Sequence, residues 1–509
     1  MRMTRRRLLG ETLAGAGGVA LALAGCGGAG GRPAGASGST LTSTWSDPAG
    51  DGQLRPGPGE GMVARTELGA AAPVLAGAVA TLAHVTDAHV LDPSSPARVT
   101  FLDRLGPPFQ STFRPQEALT TQVLAGAANA VRALAPRLVI QGGDLIDNDQ
   151  SNELTHALAA LSGGRVAPGS GQDGYFGVQL ASNTDPFYYR PDVDAPRHPG
   201  LLRRAAQAFF SHGVGAPVSS VFGDHDGLVA GEIVPTPLTM SLAVGDRALW
   251  ELPSGLSLPP GARRAAAVSP DGPPNPGLVA PFLEAALAGP TVRVPPDPAR
   301  AEMSFGRALS RLTAAAAPGT RTRRDASGAL RLDYVLDAGP RVRLIVLDLV
   351  RRRGGSGGLV EASQPGWLAA QLAAAGGRWV IVVTHQPIQG AAGGDALMAV
   401  LDRDPRVIAA LSGHTHRNRI TPRPTPAGGY WLISTASLID YPQQARALRV
   451  AGTEGGGVAI HTWMLDHVSE GRLGAIARQL SYLDAQGGRP GGFAGGRGDR
   501  NAILFRRAV

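Results

Sequence analysis

Five short polar clusters carry the side chains most able to do chemistry. They are Thr86-Asp87-Ala88-His89, Gly142-Gly143-Asp144, Gly223-Asp224-His225-Asp226, Thr384-His385 and Ser412-Gly413-His414-Thr415-His416. Taken singly, each has a plain reading. A lone histidine usually packs or faces solvent, and an aspartate after a strand often caps a helix. Together they supply Asp87, His89, Asp144, Asp224, His225, His385, His414 and His416 in chain order. Carboxylates with neutral imidazoles suit Zn, Mn or Fe. Two such ions about 3.5–4 Å apart, sharing one bridging carboxylate, clamp a phosphate and acidify a water. Asp87-x-His89 and His414-x-His416 have the spacing that puts both side chains on one side of an extended backbone. Other chemistries are excluded. Cys26 is the only cysteine, so neither an intrachain disulfide nor a cysteine metal cage can form. The chain contains no lysine, so a phosphate-binding loop ending in lysine is impossible. No Ser/His/Asp triad is suggested.

Each cluster closes a short aliphatic run: Ala78 to Val85, Arg137 to Gln141, Val218 to Phe222, Arg378 to Val383, and Val407 to Leu411. Such runs, stopping at Gly, Asp or His, read as buried strands whose carboxyl ends open into functional loops. Helical spacing appears over Gln116 to Leu134, Leu201 to Phe210 and Pro365 to Ala375. The alternation predicts a layered α/β domain with its site at the strand ends. Residues 163–200 and 227–330, rich in Gly and Pro, break the alternation and read as insertions over the site. Residues 450–509 add a strand (Val458 to Met464), a helix (Leu473 to Leu483) and a last strand (Ala502 to Phe505).

The ordered series Asp87-x-His89, Gly143-Asp144, Gly223-Asp224-His225-Asp226, His385 and Gly413-His414-x-His416 resembles the calcineurin-like metallophosphoesterase superfamily, across residues 79 to 416. That resemblance implies a four-layered α/β sandwich and hydrolysis of a phosphate monoester or diester by in-line attack of a bridging hydroxide. It implies that Asp87, His89, Asp144 and His416 hold one ion. Asp144 would bridge to a second, completed by Asp224, His385 and His414. The ions would be two divalent metals or an Fe(III)/divalent pair, drawn from Mn, Fe and Zn. His225 would serve the leaving-group oxygen, with Asp226 orienting its ring. The alternative is a non-catalytic binding or scaffold protein on the same fold. One departure is Asp224, where the family usually has Asn. Two divalent ions bring +4, while three aspartates and a hydroxide bring −4, so the site is formally neutral rather than +1. Arg98, Arg104 and Arg114 follow the first cluster and are candidate contacts to a substrate phosphate. His84 lies inside its strand and reads as structural, Asp147-Asn148 follow the bridging aspartate, and Asp440-Tyr441 border the expected cleft. Phe187, Tyr188 and Tyr189 read as a packed lid before a stacking surface.

The 509-residue chain is 43% hydrophobic and 17% charged, enough for one large core or two ordinary domains. Its net charge of +8 comes from arginines scattered without interleaved aromatics, so no specific nucleic-acid partner is expected. The small-molecule partner expected is a phosphate ester, and the sequence leaves the oligomeric state open. Residues 1–26 read as an export address: arginines at 5–7, a mild apolar run and Leu23-Ala24-Gly25-Cys26. They resemble a twin-arginine and lipoprotein signal, which implies lipidation of Cys26 and anchoring to the outer face of the membrane. Residues 27–78, poor in large apolar side chains, read as a weakly ordered tether ahead of a domain spanning 79–509.

Overall fold

The computed structural model describes residues 37–105, 112–257, 272, 276–484 and 493–508, with the side chains of 103–105 and 276–279 left out. The export signal and Cys26 lie outside the described residues, as does the side chain of Arg104.

Two large sheets organise the domain. Numbered in chain order, their strands are β1 (Val63–Leu68), β2 (Ala80–Val85), β3 (Leu138–Gln141), β4 (Val218–Ser220), β5 (Tyr334–Asp337), β6 (Val342–Leu347), β7 (Trp379–Thr384), β8 (Val407–Ser412), β9 (Arg419–Arg423), β10 (Tyr430–Ser434), β11 (Gln444–Gly452), β12 (Val458–Asp466) and β13 (Ala502–Arg506). The first sheet runs β1-β13-β12-β11-β2-β3-β4, with β2, β3 and β4 mutually parallel. The second runs β5-β6-β7-β8-β10-β9, with β6, β7, β8 and β10 parallel.

Strand periodicity builds the layers. On β6 and β7, Leu344, Val346, Ile381 and Val383 enter the core shared with the first sheet. Their neighbours Ile345, Leu347, Val380 and Val382 point the other way. There they meet Leu368 and Leu372 of one helix (Gln364–Ala373) and Leu397, Met398 and Leu401 of another (Gly394–Leu401). Strands covered on both faces need apolar residues at every position, which is why these runs are continuous rather than alternating. Helices Thr120–Leu134 and Leu473–Leu483 pack on the far side, against β11, β12 and each other. Helix, sheet, sheet, helix makes the four-layered α/β sandwich that the motifs imply.

Three expectations need correction. The segment read as a tether is folded from residue 37 onward. Ser43–Ser46 and Arg55–Pro58 form a hairpin, and β1 joins the first sheet parallel to β13. Thr40, 2% exposed, bonds the Met464 carbonyl and Asn501, and Glu60 pairs with Arg500 at 2.6 Å. An edge strand needs few apolar side chains, so composition hid it. The helix expected over Leu201 to Phe210 stops at Ala205, and Phe209–Ser211 instead pairs with Gly164–Val166 as a small antiparallel two-stranded sheet. Within 227–330, the helix Phe305–Ala315 buries Ala308, Leu309 and Leu312 in the main core, so that stretch is partly core. Tyr188 is fully buried against Phe113 and bonds the Trp250 carbonyl at 2.6 Å, so it packs and offers no stacking face.

Candidate metal centre

The five clusters leave the carboxyl ends of β2, β3, β4, β7 and β8, all parallel strands, and meet between the two sheets. Their local backbone is unusual. Asp87, His89, Asp144, His414 and His416 all have positive φ, between 42° and 64°. Such conformations cost about 1–3 kcal/mol each and persist only where surroundings dictate them. Two glycines explain the tightness. Gly143 has φ +95°, and a Cβ there would sit 2.4 Å from His385 Nδ1. A Cβ on Gly413 would sit 2.2 Å from Thr86 Oγ1 and 2.5 Å from Asp87 Oδ2.

Two groups of ligand atoms match the expected ion sites. Asp87, His89 and His416 form one, and Asp144, Asp224, His385 and His414 the other, each with its ligand atoms within 4.8 Å; a third group, His89, Asp147 and His225, overlaps the first through His89. In the first, His416 Nε2 lies 3.4 Å from Asp87 Oδ1 and 3.2 Å from His89 Nε2. In the second, His385 Nε2 lies 3.1 Å from Asp144 Oδ2 and 3.2 Å from Asp224 Oδ1, and His414 Nδ1 lies 3.3 Å from Asp224 Oδ1. Asp144 Oδ2 is also 3.6 Å from His89 Nε2, so this carboxylate stands between the groups.

The donor set fits metal ions. His89 Nδ1 is held by Asp147 at 3.0 Å and His416 Nδ1 by Asp440 at 2.6 Å, which turns both Nε2 lone pairs toward each other. Two bare lone pairs at 3.2 Å would repel, so either a proton or a metal ion stands between them. His385 makes the same point: Nδ1 donates to the Gly142 carbonyl at 2.8 Å, while buried Nε2 has no hydrogen-bond partner among carboxylate oxygens. A carboxylate or carbonyl behind His89, His416 and His385 fixes the tautomer of each, as metal sites require. The same carboxylates make protonation easy in the ion-free site: against the burial penalty, Asp440 and Asp87 push His416 up to about 10.

His225 belongs to neither group. Its Nδ1 donates to the Asp147 carbonyl at 2.6 Å, its ring stacks edge-on to His89 at 4.4 Å, and its side chain is 20% exposed. Burial disfavours its cation, but Asp144, Asp224 and Asp147 outweigh that and raise its pKa. Asp226 does not orient this ring. Its carboxylate accepts from the backbone N–H of Leu145 (2.9 Å), Ile146 (3.3 Å) and Gly223 (2.9 Å), stapling the β3 and β4 loops together. Asp147 takes the role expected of Asp226.

Arg98 and Arg114 do not face a substrate. Arg98 pairs with Asp147 and with Glu117 (2.8 Å), and Arg114 Nε with Asp440 (2.6 Å); both are at most 9% exposed. They neutralise the carboxylates behind the ligand histidines. His84 is structural as read: Nδ1 meets Thr435 Oγ1 at 2.9 Å, and burial drives its pKa down to about 3. Three contributors carry no sequence motif. Gln386 donates to Asp224 Oδ1 at 2.9 Å. Glu232 sits on the turn Val229–Ile233, and burial, helped by nearby Asp224 and opposed by hydrogen bonds from Ser356, pushes its carboxyl up to about 7. Phe493 stands with its ring 6.2 Å from that of His416. Gln386 directly follows His385, and that adjacency was its one available signal.

No protein-family model matches the sequence, and no curated protein matches it. Among solved structures, the chain is similar to a dimetal phosphatase from Danio rerio, at 13% identity, over 77% of this chain and 98% of that one, with TM-score 0.38. It is similar to the sulfate thiohydrolase SoxB of Thermus thermophilus in complex with glycerol, at 14% identity over 78% and 58%, TM-score 0.28. It is also similar to the NAD nucleotidase of Haemophilus influenzae, at 10% identity over 75% and 48%, TM-score 0.25. The functional reading stands on this chain's own side chains.

Proposed function

We propose that the chain is a metal-dependent hydrolase of small phosphate esters. The observation that carries this is the pair of ligand groups meeting at Asp144, with the His225 ring beside them and held through Nδ1 by the Asp147 carbonyl. Asp87, His89, Asp144 and His416 would hold one ion, and Asp144, Asp224, His385 and His414 the other. When bound, two divalent ions stabilise charge developing on the phosphoryl oxygens and supply a water acidified into the neutral range.

The chain's residues do the rest. Asp147 and Asp440 hold His89 and His416 with their Nε2 atoms inward. His225, fixed through Nδ1, presents Nε2 to the leaving oxygen and protonates it. Thr86 Oγ1 (2.6 Å) and the His414 amide (3.0 Å) donate to Asp87 and fix its orientation. We further propose, from residues 1–26, that the protein is exported and anchored through Cys26 on the outer face of the membrane.

The test uses the full-length protein with Mn(II). Bound metal is counted by elemental analysis, and a nitrophenyl phosphate monoester is compared with a bis-nitrophenyl diester. Turnover that vanishes in Asp144→Asn, together with loss of metal, is expected, and the preferred ester sets the substrate class. Absence of both bound metal and turnover in the unaltered protein refutes the reading.

A further inference from the structure

We propose that Arg417, seated on Phe493 at the rim of the centre, binds the substrate's phosphate; this rests on the phosphoesterase reading above. The need for such a residue follows from charge. With Asp224 in the ligand set the loaded site is formally neutral, and a phosphate monoester arrives carrying close to two negative charges. The chain has no lysine, and Arg98 and Arg114 are committed to Asp147, Glu117 and Asp440.

Arg417 directly follows the ligand His416 and is exposed. Its guanidinium lies 5.9 Å from the Phe493 ring centre, and the same ring lies 6.2 Å from that of His416. Among the described residues no carboxylate pairs with it. A guanidinium resting on an aromatic face is held loosely and keeps its in-plane donors available for two phosphate oxygens.

The seat is built. The Asn418 amide donates to the Phe493 carbonyl at 2.9 Å, and Asn418 Nδ2 reaches the Ala494 carbonyl at 3.4 Å. Gly495 lies so close that a Cβ would sit 2.3 Å from the Asn418 carbonyl oxygen. Asn418 itself is 1% exposed, and its Oδ1 accepts from the Ala436 amide and from Arg446, each at 3.0 Å. The turn after His416 and the strip 493–495 are thus tied together, with the exposed Arg417 at their outer face.

The experiment compares full-length, Mn(II)-loaded wild type, Arg417→Ala and Arg417→Lys. It measures inorganic phosphate binding by calorimetry and the kcat and KM for nitrophenyl phosphate. Arg417→Ala is expected to keep its metals and to weaken phosphate binding about tenfold to hundredfold, with a larger rise in KM than fall in kcat. Arg417→Lys recovers part of the loss, because an ammonium keeps the charge without the fork. Wild-type turnover with unchanged phosphate binding in Arg417→Ala overturns this assignment alone. Loss of metal from Arg417→Ala overturns it too, since the residue would then be a prop for His416. A wild type that neither binds phosphate nor turns over ester removes the phosphoesterase reading along with it.

Discussion

Replacing Asp440 by Asn separates holding a metal from holding the fold. Asp440 is 1% exposed and lies between two cationic partners. Its Oδ2 meets His416 Nδ1 at 2.6 Å, and its Oδ1 meets Arg114 Nε at 2.6 Å. Burial disfavours the carboxylate, yet Arg114 and His416 hold its pKa well below the usual range. An amide keeps one acceptor oxygen, loses the charge, and turns a donor toward whichever partner the oxygen does not serve. Removing the acceptor behind a ligand histidine typically lowers metal affinity about 10–100-fold, or about 1.4–2.8 kcal/mol. Weakening a charged hydrogen bond to Arg114 costs about 1.5–3 kcal/mol of folding stability. At about 2.1 cal/mol/K per residue over the roughly 440 described residues, the unfolding entropy is about 1 kcal/mol/K, so the melting temperature falls about 2–3 °C. Thermal unfolding in chelator isolates that second effect. Mn(II) titration of the chelator-stripped protein reads the first. Removing Arg114 as well, in Arg114→Gln/Asp440→Asn, should recover part of the thermal loss and none of the metal affinity. Wild-type metal affinity with a lowered melting temperature would refute the reasoning and leave Asp440 as a counter-ion to Arg114 only.

Gly143→Ala places a methyl 2.4 Å from His385 Nδ1 at φ +95°. It should cost about 1–3 kcal/mol of stability and displace the second ion, so elemental analysis should read one metal per chain instead of two. Asp224→Asn should keep both ions, because Oδ1 is steered by Gln386 at 2.9 Å, and should tighten inorganic phosphate binding by raising the site charge by one; loss of an ion in this variant sinks the assignment. Glu302, buried with Thr239 Oγ1 at 2.8 Å, has its carboxyl pushed by burial from 4.5 up to about 7. Between those values the folded state holds a proton that the unfolded state has released. The stabilisation is therefore complete below pH 4.5 and is lost as pH rises to about 7. Denaturant unfolding across that window should show a shallower fall for Glu302→Gln, and an identical slope would count against the assignment.

The candidate ligands were legible because metal chemistry favours their types: carboxylates and imidazoles at strand ends suit the task, and strand ends show as aliphatic runs stopped by Gly, Asp or His. Val380 to Val383 and Val407 to Leu411 needed no more than that, being covered on both faces. Elements that bury little left little trace. β1 contributes one fully buried side chain, Leu68, and its pairing with β13 is carried by backbone hydrogen bonds. Phe209 and Phe210 read as the end of a helix because two aromatics suit either structure, and only their partner Gly164–Val166 decides.

Arg98 and Arg114 were misread for a deeper reason, which the structure makes orderly. A ligand imidazole that points Nε2 at a cation must place its Nδ1 proton on an acceptor. His89 and His416 use Asp147 and Asp440. Those acceptors are buried carboxylates and need cations of their own, so Arg98 and Arg114 stand behind them. Arg98 reaches Glu117 in turn, whose carboxyl burial pushes above its ordinary value. His89 and His416 thus each imply an acid, and each of those acids an arginine, at positions that sequence spacing cannot reveal because the partners lie as far apart as Arg114 and Asp440. Positive charge just after the first motif therefore belongs behind the metals. On the proposed reading, a cation that meets substrate comes from the solvent side of the centre, where the residue after His416 is an exposed arginine resting on an aromatic ring.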